Sequence, residues 1–281
     1  MGTKLLVTDL VAKKAANEKI TMLTAYDASF ATMLDQAGVD ILLVGDSLGM
    51  VLLGYESTVP VTMAEMLHHA RAVRRGVKRA VLVGDMPFLS YQVDVVSAIR
   101  NAGRFMKEAG CDAVKLEGGL EVCDTVRALV RAGIPVMGHI GLTPQTAGQL
   151  GGFKVQGNDL ASARKLLEAA RALALAGAWA VVLECVPDEL ARVITAKIAI
   201  PTIGIGAGPG CDGQVLVTHD LVGLFEKFVP RFVKQYANLA PRIREAVAGF
   251  VAEVHSGAFP DAAHSFPARP DLRELLHDKD A

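Results

Sequence analysis

The sequence predicts a (β/α)8 barrel built from a single domain over residues 1–281, with a short N-terminal helix and a C-terminal helical extension. Its length of 281 residues is close to the ~250 residues typical of such barrels. Short runs rich in Val, Leu and Ile recur about one βα unit apart, as expected for parallel strands buried on both faces. Several runs end in an acidic residue or a histidine, and barrel enzymes carry their active-site residues at the C-terminal ends of strands.

The predicted elements follow one another along the chain. A helix over about 9–17 precedes the barrel, and we expect it to plug the N-terminal mouth. Strands are predicted at 20–25, 41–44, 80–84, 113–116, 135–137, 180–183, 201–205 and around 216–224. One helix begins with a capping box formed by Thr62 and Glu65, and several others end just before a glycine. A last helix over about 242–253 leads to a peripheral or disordered tail at about 267–281.

Composition and charge exclude several classes of partner. The net charge of −1 gives no basis for binding nucleic acid or an anionic membrane surface. No apolar stretch approaches the ~18 residues of a transmembrane helix, and no secretory signal is expected at the N-terminus. The four cysteines form no CxxC pair or zinc-like spacing, so we expect reduced thiols and a cytoplasmic protein.

Three carboxylates end neighbouring predicted strands and are the first candidates for chemistry. Asp46, Asp85 and Glu117 follow strands 2, 3 and 4, and adjacent strands lie only ~5 Å apart. Carboxylates that converge raise one another's pKa unless a cation neutralises them, and oxygen ligands favour Mg²⁺ or a similar ion. The alternative is that each carboxylate caps the following helix or pairs with a nearby lysine.

Other polar side chains are expected at the same end of the barrel. Lys115 lies two residues before Glu117 and therefore on the same side of its strand, where it binds a substrate oxyanion or forms a structural ion pair. His139 ends strand 5 and could contact substrate, transfer protons, bind metal or be hydrogen-bonded within the barrel. Glu184 ends strand 6 away from the acidic trio, so it is a candidate general base.

Two loops and one serine complete the set of candidates. Ser47 could bind a substrate carboxylate, and without a Gly-x-Ser-x-Gly elbow it is not predicted to be a nucleophile. The long Gly-rich loop at 141–157 is predicted to be a lid or binding loop. The run Gly204–Gly210 suits a phosphate, a flat ligand or a tight turn. Together these residues favour metal-assisted enolate chemistry on a 2-oxo acid.

A series of motifs in order along nearly the whole chain resembles the ketopantoate hydroxymethyltransferase family. They are TAYD (24–27), LLVGDSLGM (42–50), STVPVT (57–62), DMPF (85–88), VKLEGG (114–119), GHIGLTPQ (138–145), GGFKVQG (151–157), LECVP (183–187), IPTIGIGAG (200–208), DGQVLV (212–217) and HSF (264–266).

The resemblance implies a (β/α)8 barrel that moves a hydroxymethyl group from 5,10-methylenetetrahydrofolate to 3-methyl-2-oxobutanoate, giving 2-dehydropantoate for pantothenate and coenzyme A synthesis. It also implies Mg²⁺ and a homodecamer, a pentamer of dimers. The resemblance assigns metal binding to Asp46, Asp85 and Glu117, substrate binding to Asp46, Ser47, Asp85, Lys115 and His139, and catalysis to Glu184 as the base.

One departure and two alternatives accompany the resemblance. Asn158-Asp159 stands where a Gly-Arg type continuation is expected, which leaves the folate contacts open. A Mg²⁺-dependent C–C lyase or phosphonomutase of the phosphoenolpyruvate/isocitrate lyase type would use a similar scaffold, but the chain lacks a KKCGH-like loop cysteine. A non-enzymatic metabolite-binding barrel would leave the predicted base without a role.

Overall fold

The protein folds into a closed barrel of eight parallel strands, as the sequence predicts. The computed structural model describes residues 3–149 and 151–269. Each strand is hydrogen-bonded to the next in sequence order, and β8 closes the ring against β1. The strands are β1 (Ile20–Thr24), β2 (Ile41–Val44), β3 (Val81–Asp85), β4 (Ala113–Glu117), β5 (Val136–Gly141), β6 (Ala180–Glu184), β7 (Thr202–Ile205) and β8 (Gly213–Leu216).

Helices cover the outside of the barrel and begin where the sequence supplies caps. Asp27, Thr62, Asp94 and Asp159 each accept a hydrogen bond from the first turn of the helix that follows, and Thr62 does so within the predicted capping box. The α-helices are α1 (Val7–Ala15), α2 (Ala28–Gln36), α3 (Leu48–Val51), α4 (Met63–Gly76), α5 (Val95–Ala109), α6 (Cys123–Arg131), α7 (Leu160–Ala176), α8 (Asp188–Lys197), α9 (Thr218–Leu221) and α10 (Leu239–Ser256).

The eighth strand lies earlier in the chain than the predicted 216–224. It begins at Gly213, where an added Cβ would lie 2.5 Å from the carbonyl oxygen of Ile20, so only glycine allows β8 to approach β1 there. The strand stops because Thr218 turns the chain into α9, and the Thr218 hydroxyl donates to the carbonyl oxygen of Thr24 at 2.5 Å. The apolar residues after Leu216 therefore belong to α9 and its flanking turns and not to a strand.

The N-terminal segment closes the bottom of the barrel. Leu10 of α1 is fully buried and belongs to the same apolar cluster as the inward-facing residues of the strands, including Ile20 and Ile41. Three lysines of this segment pair with aspartates that directly precede strands, namely Lys4 with Asp112 (2.5 Å), Lys13 with Asp40 (3.0 Å) and Lys14 with Asp212 (2.7 Å). The same aspartates also accept hydrogen bonds from neighbouring backbone N–H groups.

The C-terminal extension is helical but hardly touches the barrel. Ala240 is the one buried residue of the 18-residue helix α10. Apolar side chains at Ile243, Val247, Phe250 and Val254 follow helical spacing along one face and are 44–56% exposed. From residue 270 onward the predicted tail lies outside the described residues. Within the described part of the chain, no helix combines the length and the apolar character that a membrane crossing requires.

Candidate active site

A single cavity opens at the C-terminal ends of the strands, and it gathers every predicted site residue. Its volume is about 500 Å³. Of the residues that line it, seven were predicted from strand ends or from the family resemblance: Asp46, Ser47, Asp85, Lys115, Glu117, His139 and Glu184. The prediction of one shared site is therefore met in its geometry, while the roles of the individual residues stay predictions.

The register of the parallel strands explains this convergence. Asp85 on β3 pairs with Lys115 on β4, and Glu117 on β4 pairs with His139 on β5. Alternation along β4 sends Lys115 and Glu117 to the same side, towards the barrel axis. Charged side chains from three adjacent strands thus meet in two neighbouring layers.

The lysine neutralises part of the acidic cluster. The Lys115 ammonium donates to Asp85 Oδ1 at 2.5 Å and lies 3.9 Å from Glu117 Oε1. Burial, together with the charges of Asp85 and Glu117, raises the pKa of the Asp46 carboxyl well above its usual range. Burial alone would lower the pKa of Lys115, but the surrounding carboxylates raise it, so the lysine stays charged.

His139 lies between two carboxylates. Its Nε2 is 3.2 Å from Glu184 Oε2 and its Nδ1 is 3.5 Å from Glu117 Oε1, although neither contact has hydrogen-bond geometry. Burial and Lys115 oppose a charge on the imidazole, but the two glutamates outweigh them and raise its pKa to about 9. At neutral pH, a cationic His139 therefore links the candidate base to the acidic cluster.

Gln145 is a central residue of the site that the sequence analysis did not single out. Its side-chain amide donates to Asp46 Oδ2 and to the carbonyl oxygen of Met86, both at 2.9 Å, and accepts from the Tyr91 hydroxyl at 2.8 Å. Its backbone N–H donates to Glu117 Oε2 at 3.1 Å. The motif GHIGLTPQ contained this residue, but its position after β5, in a short helical turn, gave no periodic signal.

A second part of the cavity wall carries Ser47 and Asp220, and Tyr26 is buried beside Ser47. The Ser47 hydroxyl is 2.9 Å from the Tyr26 hydroxyl, and burial raises the pKa of Tyr26. Asp220 on α9 also lines the cavity, and burial raises the pKa of its carboxyl to about 6. Neither residue was among the predicted site residues: Tyr26 follows the first predicted strand but is not acidic, and Asp220 fell inside the segment predicted as strand 8.

The two glycine-rich loops differ in their relation to the cavity. Phe153, Lys154 and Val155 of the loop at 141–157 line it, as the prediction of a binding loop requires. The glycines of the run at 204–210 are explained by packing, since a Cβ on Gly208 would lie 2.3 Å from the Cβ of Asp188 at the start of α8. The structure thus favours the tight-turn interpretation of that run over a phosphate loop.

The carboxylates can be tested against the divalent ion that the resemblance implies. Among the described residues, no three His, Cys, Asp or Glu side chains are grouped so as to hold one metal ion. Mg²⁺, however, is commonly bound by one or two carboxylates with waters and substrate oxygens. Asp46 and Asp85 suit this pattern because both line the cavity and the Asp46 N–H lies 3.3 Å from Asp85 Oδ2. Glu117 is already engaged by His139 and Gln145, so its predicted role as a ligand remains open.

The fold and the site define an enzyme of the (β/α)8 class whose cavity combines buried carboxylates, a lysine and a histidine. A family model described as ketopantoate hydroxymethyltransferase matches residues 4–262. The chain is 62% identical over 274 residues to 3-methyl-2-oxobutanoate hydroxymethyltransferase of Desulfotalea psychrophila, covering 98% of both chains. It is 58% identical to the same enzyme of Syntrophomonas wolfei, covering 96% of this chain and 98% of the relative. The chain therefore belongs to the ketopantoate hydroxymethyltransferase family, and the predicted enzyme class is confirmed.

Solved structures with little sequence similarity share the fold. Phosphonopyruvate hydrolase superposes with a TM-score of 0.61 at 15% identity, covering 99% of this chain and 96% of that one. Phosphoenolpyruvate phosphomutase from Streptomyces platensis gives 0.62 at 17% identity, covering 97% and 94%. These likenesses confirm the barrel but say nothing about chemistry, so they lend no support to the alternative of a lyase or phosphonomutase.

Proposed function

We propose that the protein converts 3-methyl-2-oxobutanoate, 5,10-methylenetetrahydrofolate and water into 2-dehydropantoate and tetrahydrofolate, as a step of pantothenate synthesis. Membership of the ketopantoate hydroxymethyltransferase family supports hydroxymethyl transfer. The observation that carries the finer proposal is the position of Glu184, a carboxylate at the edge of a cavity that also holds Lys115, Asp46 and Asp85. This arrangement supplies a base on one side and positive charge with metal-binding oxygens on the other.

The acidic cluster would hold the divalent ion and one end of the oxo acid. Asp46 and Asp85 are the residues that would bind Mg²⁺ or a similar metal. When bound, such an ion polarises a carbonyl oxygen and stabilises the negative charge of an enolate. Lys115 and Ser47 are placed to bind the substrate carboxylate, Lys115 as a buried cation and Ser47 as a hydroxyl donor beside Tyr26.

Glu184 is the proposed base for the proton on C3. Its side chain is 15% exposed, so it borders the cavity without being sealed in the core. The cationic imidazole of His139 has its Nε2 3.2 Å from Glu184 Oε2, so its charge would attract the Glu184 side chain and help to position it. Val182, two residues before Glu184 on β6, and Ile205 at the end of β7 also line the cavity and would exclude water from the branched end of the substrate.

Proton exchange tests this assignment without the folate. We expect the purified protein with Mg²⁺ and 3-methyl-2-oxobutanoate in D₂O to exchange the C3 proton, followed by NMR. Glu184→Gln should bind metal and substrate normally but lose this exchange. Wild-type exchange rates in the variant would overturn the assignment of the base, and no exchange by the metal-loaded wild type would favour a donor-gated base or a different substrate.

We also propose that the protein assembles with copies of itself in the cytoplasm, as a decamer. The support is the apolar face of α10, formed by Ile243, Val247, Phe250 and Val254, which the described residues leave 44–56% exposed. The four cysteines of the chain are unpaired, which suits a reducing compartment. Val247→Glu should reduce the mass of the assembly measured by light scattering, and an unchanged mass would contradict this role of α10.

A further inference from the structure

Asp220 differs from the other buried carboxylates in having no hydrogen-bond donor among the described residues. Six carboxylates are buried in the described chain: Asp35, Asp40, Asp46, Asp85, Glu117 and Asp220. The first five accept hydrogen bonds from backbone or side-chain donors of the protein. Within the described residues, no donor lies within hydrogen-bond or ion-pair distance of the carboxyl group of Asp220, which is 8% exposed. Its oxygens reach the cavity that Asp220 lines, so they are available to a ligand that donates hydrogen bonds.

The unpaired carboxyl belongs to the wall of the active-site cavity. Asp220 lines the same cavity as Asp46 and Glu184. Its position is fixed because Thr218, two residues earlier, donates two hydrogen bonds to Thr24 at the end of β1: its N–H to the Thr24 hydroxyl at 3.0 Å and its hydroxyl to the Thr24 carbonyl oxygen at 2.5 Å. Burial with no compensating donor disfavours the ionised form. A ligand that brings N–H groups to this wall would supply what the protein lacks.

The hydrogen-bonding groups of the two proposed substrates decide which of them Asp220 can bind. The 2-oxo acid offers only acceptor oxygens, which repel a carboxylate. The pterin ring of a folate carries a 2-amino group and an adjacent N3–H that point the same way, and this pair matches the two oxygens of a carboxylate. We infer that Asp220 binds the 2-amino and N3–H edge of the pterin of 5,10-methylenetetrahydrofolate. The inference rests on the proposed function and adds to it the residue that positions the one-carbon donor.

The remaining lining of the cavity suits the rest of a folate. A cavity of about 500 Å³ is in the ~300–1,000 Å³ range that holds drug-sized ligands, which is far more than a five-carbon acid fills. Phe228 and Phe232 line it while being 66% and 36% exposed, and they offer faces for the aminobenzoyl ring. Lys154 and Arg231 are exposed lining residues that form no ion pair within the described chain, so they can meet the glutamate carboxylates.

Asp220→Asn tests the inference with little change in shape. Loss of a charge-assisted pair should raise the KM for 5,10-methylenetetrahydrofolate roughly 10- to 100-fold with little change in kcat. The folate-free exchange of the C3 proton in D₂O should continue at the wild-type rate. Glu226→Gln, which removes an exposed carboxylate paired with Arg244 in the same C-terminal segment, is the matched control and should change neither quantity.

A measurement on the wild-type protein avoids any doubt about folding of the variant. Pterin and lumazine differ in that lumazine carries an oxygen in place of the 2-amino group. As competitive inhibitors against the folate, pterin should bind at least ~10-fold more tightly, because the extra oxygen of lumazine would face the Asp220 carboxylate. Equal inhibition constants would overturn the inference.

Failure of this inference is distinguishable from failure of the proposed function. If the wild type neither exchanges the C3 proton nor forms 2-dehydropantoate, the proposed function is wrong. If the wild type turns over and Asp220→Asn keeps its folate KM, only the assignment of Asp220 is wrong. A variant with lower kcat at unchanged folate KM would make Asp220 a proton-transfer group, and a variant without C3 exchange would place it with the oxo acid. Either result contradicts pterin recognition.

Discussion

Gln145 offers the sharpest test of how the acidic cluster is held together. The perturbation is Gln145→Met, which keeps the approximate volume of the side chain and removes every polar atom beyond its backbone. The Gln145 amide is the donor that the protein supplies to Asp46 Oδ2, at 2.9 Å, and it also donates to the carbonyl oxygen of Met86. The variant therefore leaves a buried carboxylate and a buried carbonyl without this donor. Tyr91 keeps its hydrogen bonds with the backbone of Glu117.

The magnitude follows from those two contacts. A hydrogen bond to a charged group contributes about 1.5–3 kcal/mol, and a buried polar group left without a partner costs about 1–3 kcal/mol. The two losses share one amide and are not additive, so we expect the free energy of unfolding to fall by about 2–4 kcal/mol. The Asp46 carboxyl would also lose the hydrogen bond that orients it in the cavity, so the C3 exchange rate should fall together with stability.

Urea denaturation followed by circular dichroism and C3 proton exchange by NMR are the two assays. Gln149→Met is the matched control, since Gln149 lies in the same loop and is exposed. An unfolding free energy within about 0.5 kcal/mol of wild type, together with normal exchange, would refute the view that Gln145 organises the site, because surface substitutions produce changes of that size.

Three further predictions concern residues of the same site: the backbone conformation of Gly141, the titration of Asp220 and the buried charge of Lys115. Gly141→Ala should lower Tm and kcat, because Gly141 has a φ of 97° and a Cβ there would lie 2.2 Å from the carbonyl oxygen of Glu184. Gly148→Ala is the control: a Cβ at Gly148 would have no atom within 4 Å, so melting and kinetic assays should show no change. Asp220→Asn should raise Tm, because burial raises the pKa of Asp220 from 3.8 to about 6 and the ionised carboxylate therefore opposes folding. Melting curves should show the increase in Tm over wild type growing as pH rises from about 4 to about 6 and then levelling. A Tm difference that does not change with pH would contradict this prediction. Lys115→Met should cost about 3–5 kcal/mol in urea unfolding, since it leaves a buried carboxylate without its cation, and a loss below about 1 kcal/mol would show the ion pair to be dispensable.

The barrel fold, and the site residues at the ends of its strands, could be predicted from the sequence. Runs such as ILLV at β2 are buried at every position, so their apolar composition predicts strands. The polar residues that follow such runs then lie at the C-terminal ends of the strands, where barrel enzymes have their active site. A single carboxylate at such an edge could cap a helix or pair with a lysine, but three of them at the ends of neighbouring strands favoured a shared site. Asp46, Asp85 and Glu184 could therefore be found from spacing alone.

Residues that depend on tertiary contacts were not predictable in this way. Gln145 and Asp220 lie in short turns after β5 and β8, where no periodicity distinguishes a cavity-facing side chain from a solvated one. The eighth strand was misplaced because the apolar residues after Leu216 resemble a strand locally. The close approach of Gly213 to Ile20 on β1 decides the boundary, and the two residues are separated by about two thirds of the chain.

The N-terminal segment closes the bottom of the barrel, so the described residues leave the active-site cavity open at the C-terminal ends of the strands. With Leu10 filling the base of the lumen, both substrates must enter and leave through the loops at the opposite end. The ligand at the deeper carboxylates then binds first and leaves last, because a folate seated above it blocks the exit. This geometry imposes a compulsory order of substrate binding, with the oxo acid before the folate. A large excess of folate should therefore slow the reaction, because folate then occupies the entrance before the oxo acid has bound.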